Sequence, residues 1–175
     1  MDVRRRGRGR EQGATLVEFA IILPVIVLLI MGIIDFGGMY NDWQQLRQGV
    51  REGARYSVVA NLPSDTTCNP SGVTSVEAQE IICMTKNRAG LGSGMRVGIW
   101  TPLGNGWKLG DPLVVCGQYP AKSTSGLTAP FLSGRVLKSK VEMRIEQPLP
   151  QGNTFAPQQE PALGSGGWPS ECSTL

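Results

Sequence analysis

"FAIILPVIVLLIMGII", residues 19–34, is the stretch that decides the fold, because its sixteen residues carry no charge. With "ATLVE" before it, the apolar segment begins at Ala14 and makes a helix of about 31 Å at about 1.5 Å per residue. The hydrocarbon core of a bilayer is about 30 Å thick, so the sequence predicts a transmembrane helix over residues 14–35. Pro24 lies inside this segment, where it removes one backbone hydrogen bond and favours a kink.

A basic leader precedes the apolar segment. Residues 1–13 contain five arginines and two acids, whereas the remaining 162 residues carry 12 basic and 12 acidic side chains. The positive-inside rule therefore predicts a single-pass protein of the cytoplasmic membrane, with residues 1–13 in the cytoplasm and the rest extracytoplasmic. A charge excess confined to a leader is not a basic folded surface, so we expect no nucleic-acid partner.

A cleaved secretory signal peptide is the alternative to a retained anchor, since both begin with basic residues. The apolar core runs into "MGIIDFGGMYNDW", which has no A-x-A-like cleavage site, although Gly37-Gly38 leaves a cut there open. The core is also long for a signal peptide. We therefore favour an anchor that is retained.

Glu18 places a carboxylate near the start of the apolar segment. A cut after Gly13 would make Ala14 the new N-terminus, and its ammonium would share a helix face with Glu18, four residues on. The same ammonium could pair with Glu18 of a neighbouring subunit, which would fix the axial register between subunits. Alternatively, the carboxylate reaches the headgroups from a helix end. A charge at the bilayer centre costs about 2.5–3.5 kcal/mol, and the residue pattern leaves both interpretations open.

The leader that ends in Gly13, followed by "ATLVEFAIILP", resembles a type IVb prepilin. In that pattern a prepilin peptidase cuts after the glycine, and Glu and Phe occupy mature positions five and six, as Glu18 and Phe19 would here. The continuation to residue 60 resembles the TadE/TadG family of pilin-like proteins from tight-adherence (Flp) pilus systems. Its most specific part is "VREGARYSV", with the family motif Arg51, Glu52, Gly53, Ala54, Arg55 and Tyr56.

This resemblance implies a minor pilin or pseudopilin that acts in pilus assembly. It implies processing between Gly13 and Ala14, with Glu18 and Phe19 acting in assembly. The implied partners are the prepilin peptidase, other pilin-like subunits and the pilus assembly platform. The implied location is the cytoplasmic membrane or a surface pilus. An uncleaved, signal-anchored extracytoplasmic binding module is the alternative function.

A helical stalk is predicted over residues 36–60, continuing the anchor. Apolar side chains recur there every four residues, as expected for one buried helix face; they are Leu46, Val50, Ala54 and Val58. Gly49 and Gly53 would permit close approach of another backbone, either from the outer domain or from a partner helix.

An α+β domain is predicted over residues 61–146. A second helix begins at Val73 and stops at Gly90, and three strand-like runs follow: "MRVGIW", "DPLVVCGQY" and "RVLKSKVEMRIE". Asn105-Gly106 between the first two runs is a hairpin signal. We expect a small antiparallel sheet of about three strands packed on helix. Residues 147–175 are rich in Pro, Gly, Gln and Ser, which predicts a flexible tail.

The four cysteines all lie beyond the apolar segment, at Cys68, Cys83, Cys116 and Cys172. None forms a CxxC pair, so no structural metal site is expected. An even number beyond a membrane segment is typical of disulfides in an oxidising compartment, with buried free thiols as the alternative. Three pairings exist, and locality alone favours Cys68 with Cys83 and Cys116 with Cys172.

No constellation of catalytic residues is evident, since the chain has no histidine, G-x-S-x-G or P-loop. Glu77 and Glu80 share a predicted helix face, which is usually solvated. Trp100 and Trp107 flank a glycine-rich turn, where hairpin packing is favoured over ligand binding. We therefore expect a protein that is not an enzyme and that needs no cofactor.

Overall fold

A computed structural model describes residues 8–62, 68–104, 106–149, 155–164, 167–168 and 172 of the chain. The helices are α1 (Arg8–Val58), α2 (Val76–Ala89) and the short α3 (Ala129–Leu132), with a 3-10 turn at Gly92–Gly94. The strands are β1 (Arg96–Trp100), β2 (Pro112–Pro120), β3 (Val136–Arg144) and β4 (Gln158–Gln159). The predicted α+β class is confirmed.

Helix α1 runs unbroken for 51 residues and joins the segments predicted as anchor and stalk. Pro24 lies within it without ending it, as membrane helices allow when local adjustments satisfy the freed carbonyl. The large apolar side chains from Leu16 to Ile34 are 38–71% exposed. From Asp35 onward the helix packs on the domain, so its exposed part coincides with the apolar run.

Helix α2 lies against the second half of α1. It begins at Val76, three residues after the predicted start, because the Ser75 side chain caps it by accepting a hydrogen bond from the Ala78 amide. It ends where predicted, at Gly90, whose φ of 67° is the left-handed conformation that glycine tolerates best.

The sheet is antiparallel and has the strand order β3-β2-β1-β4. The three predicted runs form β1, β2 and β3. The expected count of about three strands is one too low, because β4 pairs with β1 through Gly98 and Ile99. Two consecutive glutamines show no apolar alternation, so nothing in the sequence indicated this strand. The predicted hairpin turn includes Asn105, which lies outside the described residues.

The core lies between the apolar face of the second half of α1, here called the stripe, helix α2 and the inner face of the sheet. Leu46, Val50, Ala54 and Val58 are all buried in it, as their spacing predicted. Strand β2 crosses this stripe at Gly117, where an added Cβ would meet side chains of Leu46 and Val50.

The described part of the C-terminal segment packs on the domain. Gln158 accepts hydrogen bonds from the amides of Thr74 and Ser75 at 2.6 and 3.0 Å. Buried Gln118 on β2 accepts from the Leu163 amide at 2.8 Å and donates to the Gly167 carbonyl at 3.1 Å. Residues 155–164 thus contact the loop before α2 through the Gln158 side chain, and they contact the sheet through the backbone of Glu160 and Leu163.

Candidate functional site: the anchor helix and its junction with the domain

The predicted processing and assembly residues all lie in the exposed part of α1. Gly13, Ala14, Glu18 and Phe19 are helical and exposed, and an added Cβ at Gly13 would meet no neighbouring atom within 4 Å. Ala14 and Glu18 are four residues apart on one helix, which puts them on the same face. The structure therefore supplies the predicted spacing of these two residues within a single helix.

The glycines of the stalk mark the closest approach between α1 and α2. A Cβ at Gly49 would come closer than 3.0 Å to both side-chain and backbone atoms of Ala89, and one at Gly53 would clash with the side chain of Thr85. Gly53 also accepts a hydrogen bond from the Ser57 hydroxyl through its carbonyl oxygen, at 2.6 Å. Of the two predicted packing partners, the structure places the chain's own domain here.

The family motif has two faces on α1. Gly53 and Ala54 are buried in the junction with the domain, whereas Arg51 and Arg55 are exposed and Glu52 is half-buried. Tyr56 is half-buried, with the Arg88 guanidinium 5.3 Å from its ring centroid, a cation–π contact between the two helices. The small residues of the motif thus serve helix packing, and its arginines face solvent.

Asp35 is a polar site that sequence reasoning missed. Its side chain is buried, at 1% exposure, at the end of the apolar run. Oδ1 accepts from the amides of Thr124 and Ser125 at 2.9 and 2.7 Å, and Oδ2 accepts from hydroxyls of the same loop; the hydroxyl donors are Ser123, Ser125 and Thr128. The carboxylate therefore holds the loop between β2 and β3 against α1.

A signal for this cluster does exist in the sequence. "STSGLT", residues 123–128, is rich in the hydroxyl side chains that suit a carboxylate. Asp35 and its partners are separated by 88 or more positions along the chain, so the pairing is not visible in the sequence and only the fold brings them together.

Both disulfides join the pairs that locality favours. Cys68 is bonded to Cys83 on α2, and Cys116 on β2 is bonded to Cys172, so Cys172 is a tether for the C-terminal segment. Trp100 and Trp168 pack edge to face, with ring centroids 5.3 Å apart, in the same cluster as the second disulfide.

A buried ion pair fixes the C-terminal segment to α2 and β1. Glu160 Oε1 lies 2.6 Å from Lys86 Nζ, and the two side chains are 0% and 8% exposed. Glu160 Oε2 accepts from the Val97 amide at 2.9 Å, and the Arg96 guanidinium is 3.6 Å from Oε1. Glu160 therefore joins three separate elements through one carboxylate.

The residues considered for catalysis or ligand binding interact with neighbouring residues of the fold. Glu77 is buried and accepts from the Ser75 hydroxyl at 2.8 Å. Burial, together with the charge of Glu77, raises the pKa of Glu80. Trp107 donates to the Gln147 carbonyl at 2.9 Å and packs edge to face on Phe155. Among the described residues, no group of three or more His, Cys, Asp or Glu side chains is placed to hold a metal ion.

These features define a class of protein: one long helix, apolar and exposed in its first half, whose second half is built into a small disulfide-bonded α+β domain. Within the described part of the chain, α1 alone is long and apolar enough to cross a membrane.

The family match lies within this helix. Residues 13–55 match the family model described as TadE-like protein, which confirms the predicted resemblance over the anchor and the stalk. The match ends before α2 and the sheet. Comparison with curated proteins found no match, and comparison with solved structures found none either. The family match and the apolar helix fit a membrane-anchored protein related to the Tad pilus.

Proposed function

We propose that the chain is a pilin-like subunit, a minor pilin or pseudopilin, that acts in tight-adherence pilus assembly. The observation that carries this proposal is α1 itself. Its first half presents an exposed apolar surface from Leu16 to Ile34, and its second half is clamped into the domain. Such a subunit can exchange lipid contacts for contacts with neighbouring helices without rearranging its own fold.

Processing after Gly13 by a prepilin peptidase is part of the proposal. The cut would release the basic leader and give Ala14 a free ammonium group. That group would pair with Glu18, either of its own chain or of the adjacent subunit. In an apolar setting the pairing offsets the cost of the buried carboxylate, and between subunits it fixes the axial register. Phe19 would pack beside it in the assembled helices.

The proposed topology has the N-terminus in the cytoplasm and the domain outside. The two disulfides support it, because such bonds persist in oxidising compartments. The proposed partners are the peptidase, other pilin-like subunits and the assembly platform. The proposed role is structural rather than enzymatic, and no cofactor enters it.

The first test is the intact mass and N-terminal sequence of the protein from its native membrane, with and without the prepilin peptidase. We expect an N-terminus at Ala14 that disappears in the peptidase-deficient strain. An N-terminus at Met1 in peptidase-positive cells would contradict processing and leave a signal-anchored binding module.

The second test is Glu18→Ala, which we expect to reduce assembly of the subunit with its partners while leaving cleavage and the fold of the domain unchanged. Asp42→Ala is the matched control, since Asp42 lies on the same helix beyond the apolar run and outside the family motif. Equal assembly of the two variants would refute the role of Glu18.

A further inference from the structure

The loop between β2 and β3 lies at the end of the domain nearest the apolar run. Three contacts along α1 establish this. The amides of Glu146 and Gln147 donate to the Val58 carbonyl, Gly117 faces Leu46 and Val50, and the loop binds Asp35. Strand β2 therefore runs antiparallel to α1, from the end of the helix back towards its exposed half.

The composition of this loop is unusual for a solvent-exposed turn. Residues 123–134, "STSGLTAPFLSG", contain no charge and are flanked by Lys122 and Arg135, both exposed. Phe131 is 80% exposed, and Leu127 is 49% exposed. Three hydroxyl side chains of the loop bind Asp35. Of its three large apolar side chains, Leu132 is half-buried, whereas Leu127 and Phe131 are exposed.

The position of the loop agrees with the depth of a membrane interface. Its anchor point, Asp35, follows directly after the apolar run that ends at Ile34. The interfacial zone of a bilayer is about 5–7 Å thick on each side of the hydrocarbon core. Tryptophan and tyrosine favour this zone. On α1, exposed Phe36 follows Asp35 directly, and exposed Tyr40 lies five residues beyond Asp35, about 7.5 Å along the helix.

We propose that the loop 123–134 is a second membrane contact, which inserts Leu127 and Phe131 into the interface of the bilayer that α1 crosses. Lys122 and Arg135 would face anionic headgroups on either side of the inserted tip. The lipid surface is the occupant that the position favours, since the loop is held at Asp35, directly after the exposed apolar run of α1. This inference rests on the proposed membrane anchor.

The test measures how deeply single positions of the full-length protein lie in liposomes of phosphatidylethanolamine and phosphatidylglycerol. A nitroxide is attached to p-acetylphenylalanine placed at position 131, which leaves both disulfides intact. Leu109 is the control, because it is also a large exposed apolar side chain but lies beside Gly110, whose amide donates to the Ile145 carbonyl at the opposite end of the sheet. Val25 reports on the anchor itself. Collisions with oxygen and with a water-soluble nickel chelate are compared.

We expect the ratio of oxygen to nickel accessibility at position 131 to be several-fold higher than at 109 and closer to that at 25. If position 131 resembles 109 while 25 is shielded from nickel, the inference is overturned and the anchor stands. If position 25 is itself open to nickel, the anchor proposal fails and the inference with it. If position 131 is shielded from both reagents and its spectrum sharpens on dilution with unlabelled protein, a second copy covers the loop, which also overturns the inference.

Discussion

Replacing Glu160 by alanine should destabilise the domain far more than an ordinary surface substitution. The change removes the carboxylate that neutralises Lys86 and accepts from the Val97 amide. The ammonium of Lys86, on a side chain only 8% exposed, would keep a positive neighbour in Arg96 but lose its negative partner.

The magnitude follows from the burial of the pair. Removing one partner of a buried ion pair costs about 3–5 kcal/mol, because an uncompensated charge remains inside. The Val97 amide loses its acceptor at the same time, and a buried unsatisfied donor costs about 1–3 kcal/mol. Lys86 has a long side chain that can turn partly towards water, so we expect a total of about 3–5 kcal/mol. For a domain of this size, that lowers Tm by roughly 10–20 °C.

The assay measures unfolding of the full-length protein in detergent, with tryptophan fluorescence as the signal. Trp168 donates to the Glu160 carbonyl at 3.0 Å and reports on this region directly. Glu142→Ala is the control, since the Glu142–Lys140 pair is 3.9 Å apart and its side chains are 54% and 33% exposed. Such a surface pair contributes about 0–1 kcal/mol.

A double variant separates charge from packing. Glu160→Gln keeps an acceptor for the Val97 amide, and Lys86→Met removes the charge while keeping an apolar stem. The double variant should therefore be more stable than Glu160→Ala. If Glu160→Ala and Glu142→Ala unfold within about 1 kcal/mol of each other, Glu160 is solvated in solution and the C-terminal segment is not docked as described.

Three further expectations concern the junction, the loop and the pH response. Gly49→Ala should destabilise the domain by about 1–2 kcal/mol, because the clash with the backbone of α2 outweighs a gain of about 1 kcal/mol in helix propensity; equal or higher thermal stability would contradict the close approach. Asp35→Ala should speed amide exchange in residues 121–128, with Glu52→Ala on the same helix as control; unchanged exchange would refute the role of Asp35 in holding this loop. Since the pKa of Glu80 is raised in the fold, its contribution to the free energy of unfolding falls as pH rises through that pKa. Glu80→Gln should therefore make the free energy of unfolding less dependent on pH over this range. The same pH dependence in wild type and variant would contradict the expectation.

Regular, apolar elements were predictable because their signal is local. The four-residue spacing of the stalk and the alternation in "VEMRIE" each express one buried face, and the fold used both. Gly90 ended a helix because its left-handed conformation is a property of a single residue. These features depend on neighbours a few positions away, so one sequence is enough to find them.

The polar contacts were not predictable, because their partners are distant along the chain. Asp35 binds residues 88–93 positions away, and Glu160 pairs with Lys86 across 74 positions. The richness in Pro and Gly of the C-terminal segment led to the prediction of a flexible tail, and such a composition gives no signal for the contacts that its described residues make. Irregular backbone is held here by side-chain amides, a disulfide and a buried ion pair, none of which has a periodic signature.

Two carboxylates mark the ends of the exposed part of α1, and their surroundings differ. Glu18 and Asp35 are 17 residues apart, about 26 Å along a helix. Asp35 is buried, and its negative charge is satisfied within the chain by amides and hydroxyls of one loop. Glu18 is exposed on the helix, and in the proposed assembly it pairs with a processed N-terminus of its own chain or of another subunit. The domain thus holds the Asp35 end of the exposed helix segment by itself, and the proposal assigns the Glu18 end to assembly. For this reason we expect Glu18→Ala to impair association between subunits, whereas Asp35→Ala should loosen a loop within one subunit.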